Sequence, residues 1–400
     1  MRILALSSWW PEPADNGSRL RIRNLLDSLA REHEVHLVSL SQGPVSEQQR
    51  AMLEQNYASV ACVQQKAWQP GKWDRLQSLV RSEPASVRGT FNCEFARMVL
   101  KRAELFKPDA LVAFQLNVAP YALLVPNVPK IFEELEVTMM QEQYRQQSSP
   151  KARLRYWLTW YKHRQYVQRL LAEFDGCTVA SEAEAQQIRA LMSRQIPLAV
   201  VPNGAVVDEK PAVTPEANTL IYAGALSFSA NLDAMQYFLG EIYPLLRANH
   251  PNLLLRITGN NSAEQIAALP NTTQVEFTGY LPDIRSAVAQ SWLEIVPLRQ
   301  GGGTRLKILE ALAVGTPVVT TSKGCEGLAL EHGTHALIAD TPQQFSAACS
   351  LLLQQPALRA HLAEQGHRLV RERYDWQQIG HEFSAFVAQI AKQEEAHAYA

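Results

Sequence analysis

The sequence predicts an α/β protein made of two doubly wound parallel-sheet domains, and three observations carry that prediction. A chain of 400 residues, 46% hydrophobic and 19% charged, is long enough for two separate cores. Short apolar runs alternate with longer helical patterns through nearly its whole length, as in parallel strands covered by helices on both faces. Midway, after a stretch rich in proline and turn residues, the alternation starts again.

From the amino terminus the expected strands are Ile3–Ser7, Val35–Leu40, Ser59–Val63, Ala110–Phe114, Lys130–Glu133, Gly176–Ala180 and Leu198–Val201. The first runs into Trp9-Trp10-Pro11-Glu12-Pro13-Ala14-Asp15-Asn16-Gly17-Ser18, after which Arg19 to Leu29 reads as an amphipathic helix capped by Ser18. Ligands of open α/β sheets bind at the carboxyl ends of strands, so this loop is a natural wall for a site. It contains no Gly-x-Gly-x-x-Gly, which argues against a nicotinamide or flavin enzyme. The first domain is set at 1–201, followed by a linker at 202–215 with a tight turn at Asn203-Gly204. The second domain, 216–375, has strands at Thr219–Ala223, Leu253–Thr258, Gln274–Phe277, Leu293–Val296, Pro317–Thr320 and Ala336–Ile338. Two helices broken near Tyr374-Asp375-Trp376 close the chain, the second within 376–400.

Composition excludes several function classes. A formal net charge of -1 gives no global attraction for nucleic acid, so any phosphate recognition must be local. The 5 cysteines are scattered, with no Cys-x-x-Cys, which points to a reducing compartment and against structural zinc. The amino terminus is apolar only briefly before Pro11, and no apolar run reaches the ~18 residues of a membrane span. The expectation is a cytoplasmic protein.

The chemistry concentrates in Leu298-Arg299-Gln300-Gly301-Gly302-Gly303-Thr304-Arg305-Leu306-Lys307-Ile308-Leu309-Glu310-Ala311. A strand end, a glycine loop and a helix start with two cations and one carboxylate follow one another. Glycines let a ligand approach the backbone, and free N–H groups with the helix dipole favour an anion there. The alternative for Lys307 and Glu310, three apart on one helix, is an exposed ion pair.

Together with Val201-Pro202-Asn203-Gly204, Tyr222-Ala223-Gly224-Ala225-Leu226 and Thr278-Gly279-Tyr280-Leu281-Pro282-Asp283, these segments resemble the retaining glycosyltransferases of family four. The resemblance implies the GT-B fold, two Rossmann-like domains facing a central cleft, of the type found in bacterial exopolysaccharide and cell-surface glycan pathways. It implies metal-independent transfer from a nucleotide-diphosphate sugar, UDP- or GDP-linked, to a hydroxyl of a glycan or lipid-linked glycan. No cofactor is implied. Glu310 takes the place of the glutamate that bonds the donor ribose. Gly303 and Thr304 match the phosphate or sugar cradle, Gly224 the turn opening the second domain, and Gly279, Tyr280 and Leu281 the nucleobase turn. Asn16 and Gly17 belong to the loop that meets the diphosphate.

The pattern departs from the family in three places. Gly302 stands where the first motif glutamate is usual, Ala225 and Ala230 or Asn231 where an arginine and a lysine are usual, and Gln115 nearest the sugar-contacting histidine. Arg305 and Lys307 are expected to supply the missing cations, so that Arg305, Lys307 and Glu310 form the catalytic group. Arg19, in the first-domain loop, and Gln115 are the acceptor or sugar candidates; each could instead be structural. The resemblance also has the last helix crossing back to the first domain. Rival readings are a non-catalytic assembly subunit of the same fold and a sugar-nucleotide epimerase.

The segment 151–166, Lys151-Ala152-Arg153-Leu154-Arg155-Tyr156-Trp157-Leu158-Thr159-Trp160-Tyr161-Lys162-His163-Arg164-Gln165-Tyr166, interleaves cations with aromatics on a helical pattern and has no acidic residue. That suits peripheral contact with an anionic membrane. The alternative turns the aromatics into the core and leaves the cations reaching solvent.

Overall fold

In the computed structural model the described residues are 1–65, 85–133, 144, 149–207, 210–270, 272–301 and 303–398. They form two compact units, Met1–Pro202 with Gln377–Ala400, and Asn203–Trp376.

The first unit holds β1 (Arg2–Ser7), β2 (Glu34–Ser41), β3 (Ser59–Gln64), β4 (Ala110–Phe114), β5 (Lys130–Glu133), β6 (Gly176–Val179) and β7 (Leu198–Val200). They pair in parallel in the order β3-β2-β1-β4-β5-β6-β7. The second unit holds β8 (Glu216–Tyr222), β9 (Leu254–Thr258), β10 (Val275–Gly279), β11 (Ser291–Val296), β12 (Val318–Thr320) and β13 (Leu337–Ile338). Its order, β10-β9-β8-β11-β12-β13, is again wholly parallel. Every strand expected from the sequence is present. β8 differs most, starting at Glu216, because Glu216 pairs with Ser291 of β11 and the left-handed Asn218 (φ 58) carries the strand through an irregularity that periodicity cannot reveal.

The strand order reverses beside β1 in one sheet and beside β8 in the other, which makes their carboxyl ends the places where such sheets take ligands. Strand interiors are apolar on both faces because helices cover both. Six helices bear on the sites: α1 (Gly17–Glu32), α2 (Pro150–Leu171), α3 (Ser229–Tyr237), α4 (Leu306–Val314), α5 (Pro356–Arg373) and α6 (Trp376–Ala398). The cap of α1 is Asn16, not Ser18: Asn16 Oδ1 accepts the Arg19 N–H at 3.1 Å, so Gly17 and Ser18 complete a first turn. Ile22, Leu25, Leu26 and Leu29 then bury one face.

The stretch 202–215 is not free of the second unit. Asn203, Ala205 and Val207 are buried, the Ala205 N–H donates to the Tyr374 carbonyl at 2.8 Å, and the Trp376 N–H returns to the Ala205 carbonyl at 3.2 Å. Asn203-Gly204 therefore forms no tight turn; it runs into a bridge between Ala205 and Asp375 that satisfies its backbone. Residues 377–400 belong to the first unit, where α6 lies against α1. Gly380 makes that approach possible, since a Cβ there would stand 1.9 Å from Ser28 Oγ. Glu32 of α1 accepts from Ser384 Oγ at 2.8 Å and pairs with His381 at 3.0 Å. Among the described residues no helix is long and apolar enough to cross a membrane.

Candidate functional site

β11 ends in a loop whose glycines adopt left-handed conformations, Gly301 at φ 104 and Gly303 at φ 78, which side-chain-bearing residues avoid. Gly302 lies outside the described residues. Arg305 is the cap residue of α4 and makes no side-chain cap; the first turn has no acidic residue. Nothing in that turn therefore competes with an anion for the helix start. Arg305 is buried and closes the loop, donating from Nη2 to the Gly301 carbonyl at 2.7 Å. Arg299 ties the loop to α3, forking onto Asp233 at 2.7 and 3.2 Å across the Tyr237 ring. Gly303 is exposed and Thr304 half-buried.

Lys307 does not pair with Glu310; no ion pair joins them. Its ammonium turns away to the end of β8, 3.8 Å from the Tyr222 ring centroid and 3.4 Å from Asn231 Oδ1. A Cβ on Gly224 would stand 2.8 Å from that nitrogen, so only glycine admits the lysine. The turn is held rigid from several sides. Glu294 Oε1 accepts the Ala223 N–H at 3.0 Å, Thr258 Oγ1 the Gly224 N–H at 3.1 Å, and Asn261 Oδ1 the Leu226 N–H at 2.8 Å. Asn231 accepts from the Tyr222 hydroxyl at 2.7 Å and donates to the Ala225 carbonyl at 2.8 Å. Lys307 thus brings a positive charge from α4 to the Ala225 to Asn231 turn.

Burial dominates the electrostatics. It raises the Glu310 carboxyl to about 7, against the opposing pull of Arg285 and Lys307. It pushes Lys307 down, with Arg305 acting in the same direction and Glu294 and Glu310 opposing. Fully buried Glu294 is pushed up by the same loss of water. Sequence reasoning missed Glu294; its one signal is an acidic residue inside an otherwise apolar strand, Ser291-Trp292-Leu293-Glu294-Ile295-Val296.

Two strands away, Gly279 (φ 71) ends β10 and its carbonyl accepts the Gly259 N–H at 2.9 Å. Tyr280 beside it is 57% exposed and Leu281 half-buried, which leaves the phenol ring open to a flat partner. Gly224, Gly279, Tyr280, Leu281, Gly303, Thr304, Arg305, Lys307 and Glu310 all lie in the second unit.

Asn16, Gly17, Arg19 and Gln115 lie in the first unit. Asn16 is occupied as a cap. Arg19 is held by Asp15 at 2.8 Å, its guanidinium 5.5 Å from the Trp9 ring centroid. Gln115, just past β4, is left-handed at φ 75, a strained conformation for its type, and its Oε1 accepts from Ser8 Oγ just past β1. Beneath them Arg21 of α1 and Glu133 at the end of β5 form a fully buried pair, Nε to Oε1 2.8 Å. Neither was singled out in the sequence, where both sit among other charged residues.

On α2, Leu154 (59%), Trp157 (39%) and Tyr161 (46%) are exposed along one stripe, while His163 and Val167 are buried. Arg153, Arg155 and Arg164 are exposed beside the stripe. The aromatic residues are thus divided between the two faces, not gathered into the core.

Residues 16–204 match the family described as "Glycosyl transferase 4-like domain" and residues 217–355 the one described as "Glycosyl transferases group 1". A curated relative, an uncharacterized 44.6 kDa protein in the cps region of Klebsiella pneumoniae, is 22% identical over 169 residues. That match spans 40% of this chain and 43% of the relative. Among solved structures, HepE of Anabaena in complex with UDP-glucose superposes with a TM-score of 0.67 at 16% identity, covering 97% of this chain and 100% of that one. WaaG, a glycosyltransferase involved in lipopolysaccharide biosynthesis, gives 0.66 at 16%, covering 97% and 99%. Sucrose-phosphate synthase of Thermosynechococcus elongatus gives 0.68 at 15%, covering 98% and 99%. At such identities the likeness is one of fold. Two Rossmann-like units carrying these two consecutive domains make the chain a member of the glycosyltransferases, with the GT-B fold.

Proposed function

We propose that the protein is a retaining, metal-independent glycosyltransferase that moves a sugar from a nucleotide-diphosphate donor to a hydroxyl of a glycan or lipid-linked glycan in surface polysaccharide assembly. The observation that carries this reading is the Lys307 ammonium set at the β8 turn by a helix, α4, whose first turn has no acidic residue. In it, Lys307, Arg305 and the N–H groups of the Gly303–Thr304 loop face the diphosphate, and Glu310 accepts from the ribose hydroxyls. Tyr280 stacks on the base. The acceptor belongs to the first unit, near Gln115 and Arg19. The sugar's bond to phosphate breaks as its anomeric carbon bonds the acceptor oxygen on the same face. The acceptor proton goes to the leaving diphosphate. The protein's share is positioning the substrates and stabilising the departing charge. UDP is the favoured nucleotide because HepE, a neighbour in fold, was solved with UDP-glucose.

Thermal shift and calorimetry with UDP, GDP, ADP and TDP test the donor class. One diphosphate should raise the melting temperature, and Glu310→Ala should weaken its binding about tenfold or more, the worth of a charged hydrogen bond. No response to any diphosphate would overturn the reading. Proton NMR of the product's anomeric signal tests retention, and unchanged turnover in EDTA tests independence from metal.

A second part of the proposal concerns place: the protein works in the cytoplasm, on the membrane's inner face. The stripe Leu154, Trp157 and Tyr161, flanked by arginines, suits an anionic bilayer that presents a lipid-linked acceptor. The wild type should float with vesicles containing phosphatidylglycerol, and Arg153→Glu with Arg155→Glu should remain in the pellet fraction. Equal flotation of both would remove the membrane contact.

A further inference from the structure

Lys307 reaches the β8 turn from α4, and two neutral side chains receive its ammonium there. Tyr222, the last residue of β8, is fully buried and turns its ring face to the nitrogen, 3.8 Å from the ring centroid. Asn231, in the first turn of α3, places Oδ1 3.4 Å from the same nitrogen. The amide has only one orientation open to it. Its nitrogen donates to the Ala225 carbonyl at 2.8 Å, and a carbonyl can only accept. Oδ1 is therefore fixed toward two donors, the Tyr222 hydroxyl at 2.7 Å and the Lys307 ammonium, one for each of its lone pairs. Ring and amide thus make one seat, because the hydroxyl that orients the amide belongs to the ring that faces the cation. Gly224 gives the seat its room: a Cβ there would stand 2.8 Å from Lys307 Nζ and 3.0 Å from Asn231 Nδ2.

We propose that Asn231 is a positioning residue of the donor site: with Tyr222 as its platform, it holds the Lys307 ammonium at the β8 turn where the diphosphate binds. This rests on the reading of Lys307 as a diphosphate cation. The neutrality of the seat matters to that task. A carboxylate would place the ammonium and cancel its charge together, whereas an amide oxygen and an aromatic face place it and leave the charge for an anion. An ammonium has three N–H donors, so the amide and the ring leave one to the diphosphate. Asn231 acts through the lysine and need not touch the ligand itself.

The test is a cycle of UDP dissociation constants, measured by calorimetry for wild type, Asn231→Ala, Lys307→Met and the double variant. Lys307→Met should bind UDP about tenfold more weakly or worse, as for loss of a charged hydrogen bond, and Asn231→Ala about fivefold more weakly. Because the amide acts through the lysine, the double variant should match Lys307→Met to within about twofold. Losses that multiply would make Asn231 a support of the turn alone and overturn the inference, as would wild-type affinity in Asn231→Ala; either result, with Lys307→Met weakened, leaves the donor site standing. Wild-type affinity in Lys307→Met would instead remove Lys307 from the site, and this inference with it. A second measurement needs no change at Asn231. With ¹³C at the lysine ε-carbons, the Lys307 signal, identified by its loss in Lys307→Met, should be displaced upfield by the Tyr222 ring and stay so when UDP is added. An ordinary lysine position, or a return to one on adding UDP, would show that the seat does not hold the cation for the ligand and would overturn the proposal.

Discussion

One methyl group at Gly224 would lie 2.8 Å from the Lys307 nitrogen and 3.0 Å from Asn231 Nδ2, well inside van der Waals contact. The ends of flexible side chains can yield, so Gly224→Ala should fold, with Lys307 displaced from the turn. Its UDP affinity should drop about tenfold, as for loss of one charged hydrogen bond, with only a small fall in melting temperature. Calorimetry beside a thermal melt checks both, and unaltered affinity would show that the lysine's place at the turn is irrelevant to the donor. Glu310 makes the complementary case. Its folded carboxyl is raised to about 7 by burial, whereas an unfolded one titrates near 4.5. Between those values the native state binds the extra proton, so the ionised carboxylate costs stability as pH rises, fully so above the folded value. Glu310→Gln should therefore melt higher than wild type at alkaline pH and equally near the unfolded value, yet bind UDP more weakly. A melting curve with no pH-dependent difference would contradict the assigned burial.

At the scale of elements, the Arg21 and Glu133 pair joins α1 to the end of β5 with both side chains fully buried. Removing one partner strands the other charge, a loss of about 3–5 kcal/mol. Arg21→Ala should accordingly lower the melting temperature by about 10 °C, and Arg21→Met with Glu133→Leu should recover much of it; equal melts for the single and double variants would deny the pair its role. No part of this was legible beforehand, because a charge pair made by folding, 112 positions apart, leaves no period in the sequence. The sheets were legible throughout, since apolar runs with both faces buried are local signals that β propensity and length decide. The cap of α1 was misread by two residues because Asn16 and Ser18 are both good caps, and only the backbone selects between them. The left-handed loop after β11 showed itself through its glycines. The direction of Lys307 did not: sequence spacing places it beside Glu310, while packing sends it over Tyr222. Glu294 reads as an interruption in a strand until its bond to Ala223 gives it a purpose.

For the molecule as a whole, α6 is a carboxyl-terminal segment whose residues from Gln377 complete the first unit's core while the second unit is built from Asn203–Trp376 alone. Ile379, Phe383, Val387 and Ile390 are all buried, with the Phe383 ring 6.3 Å from Phe114 on β4. At about 1.5–3 kcal/mol each, four such side chains contribute about 6–12 kcal/mol, as much as the whole stability of a typical domain, about 5–15 kcal/mol. Ending the chain after Trp376 should therefore unfold the first unit, and substituting Gly380→Val, which forces α6 off Ser28, should weaken it in the same sense. The proposed donor site draws every one of its residues from the other unit, so UDP should still protect the amides of β8, β11 and α4 from hydrogen exchange in the Gly380→Val protein. The first unit's strands should meanwhile exchange faster. If UDP protection disappeared along with the first unit's stability, the donor site would need residues from both units, and the assignment of the diphosphate to Lys307, Arg305 and Glu310 alone would fail.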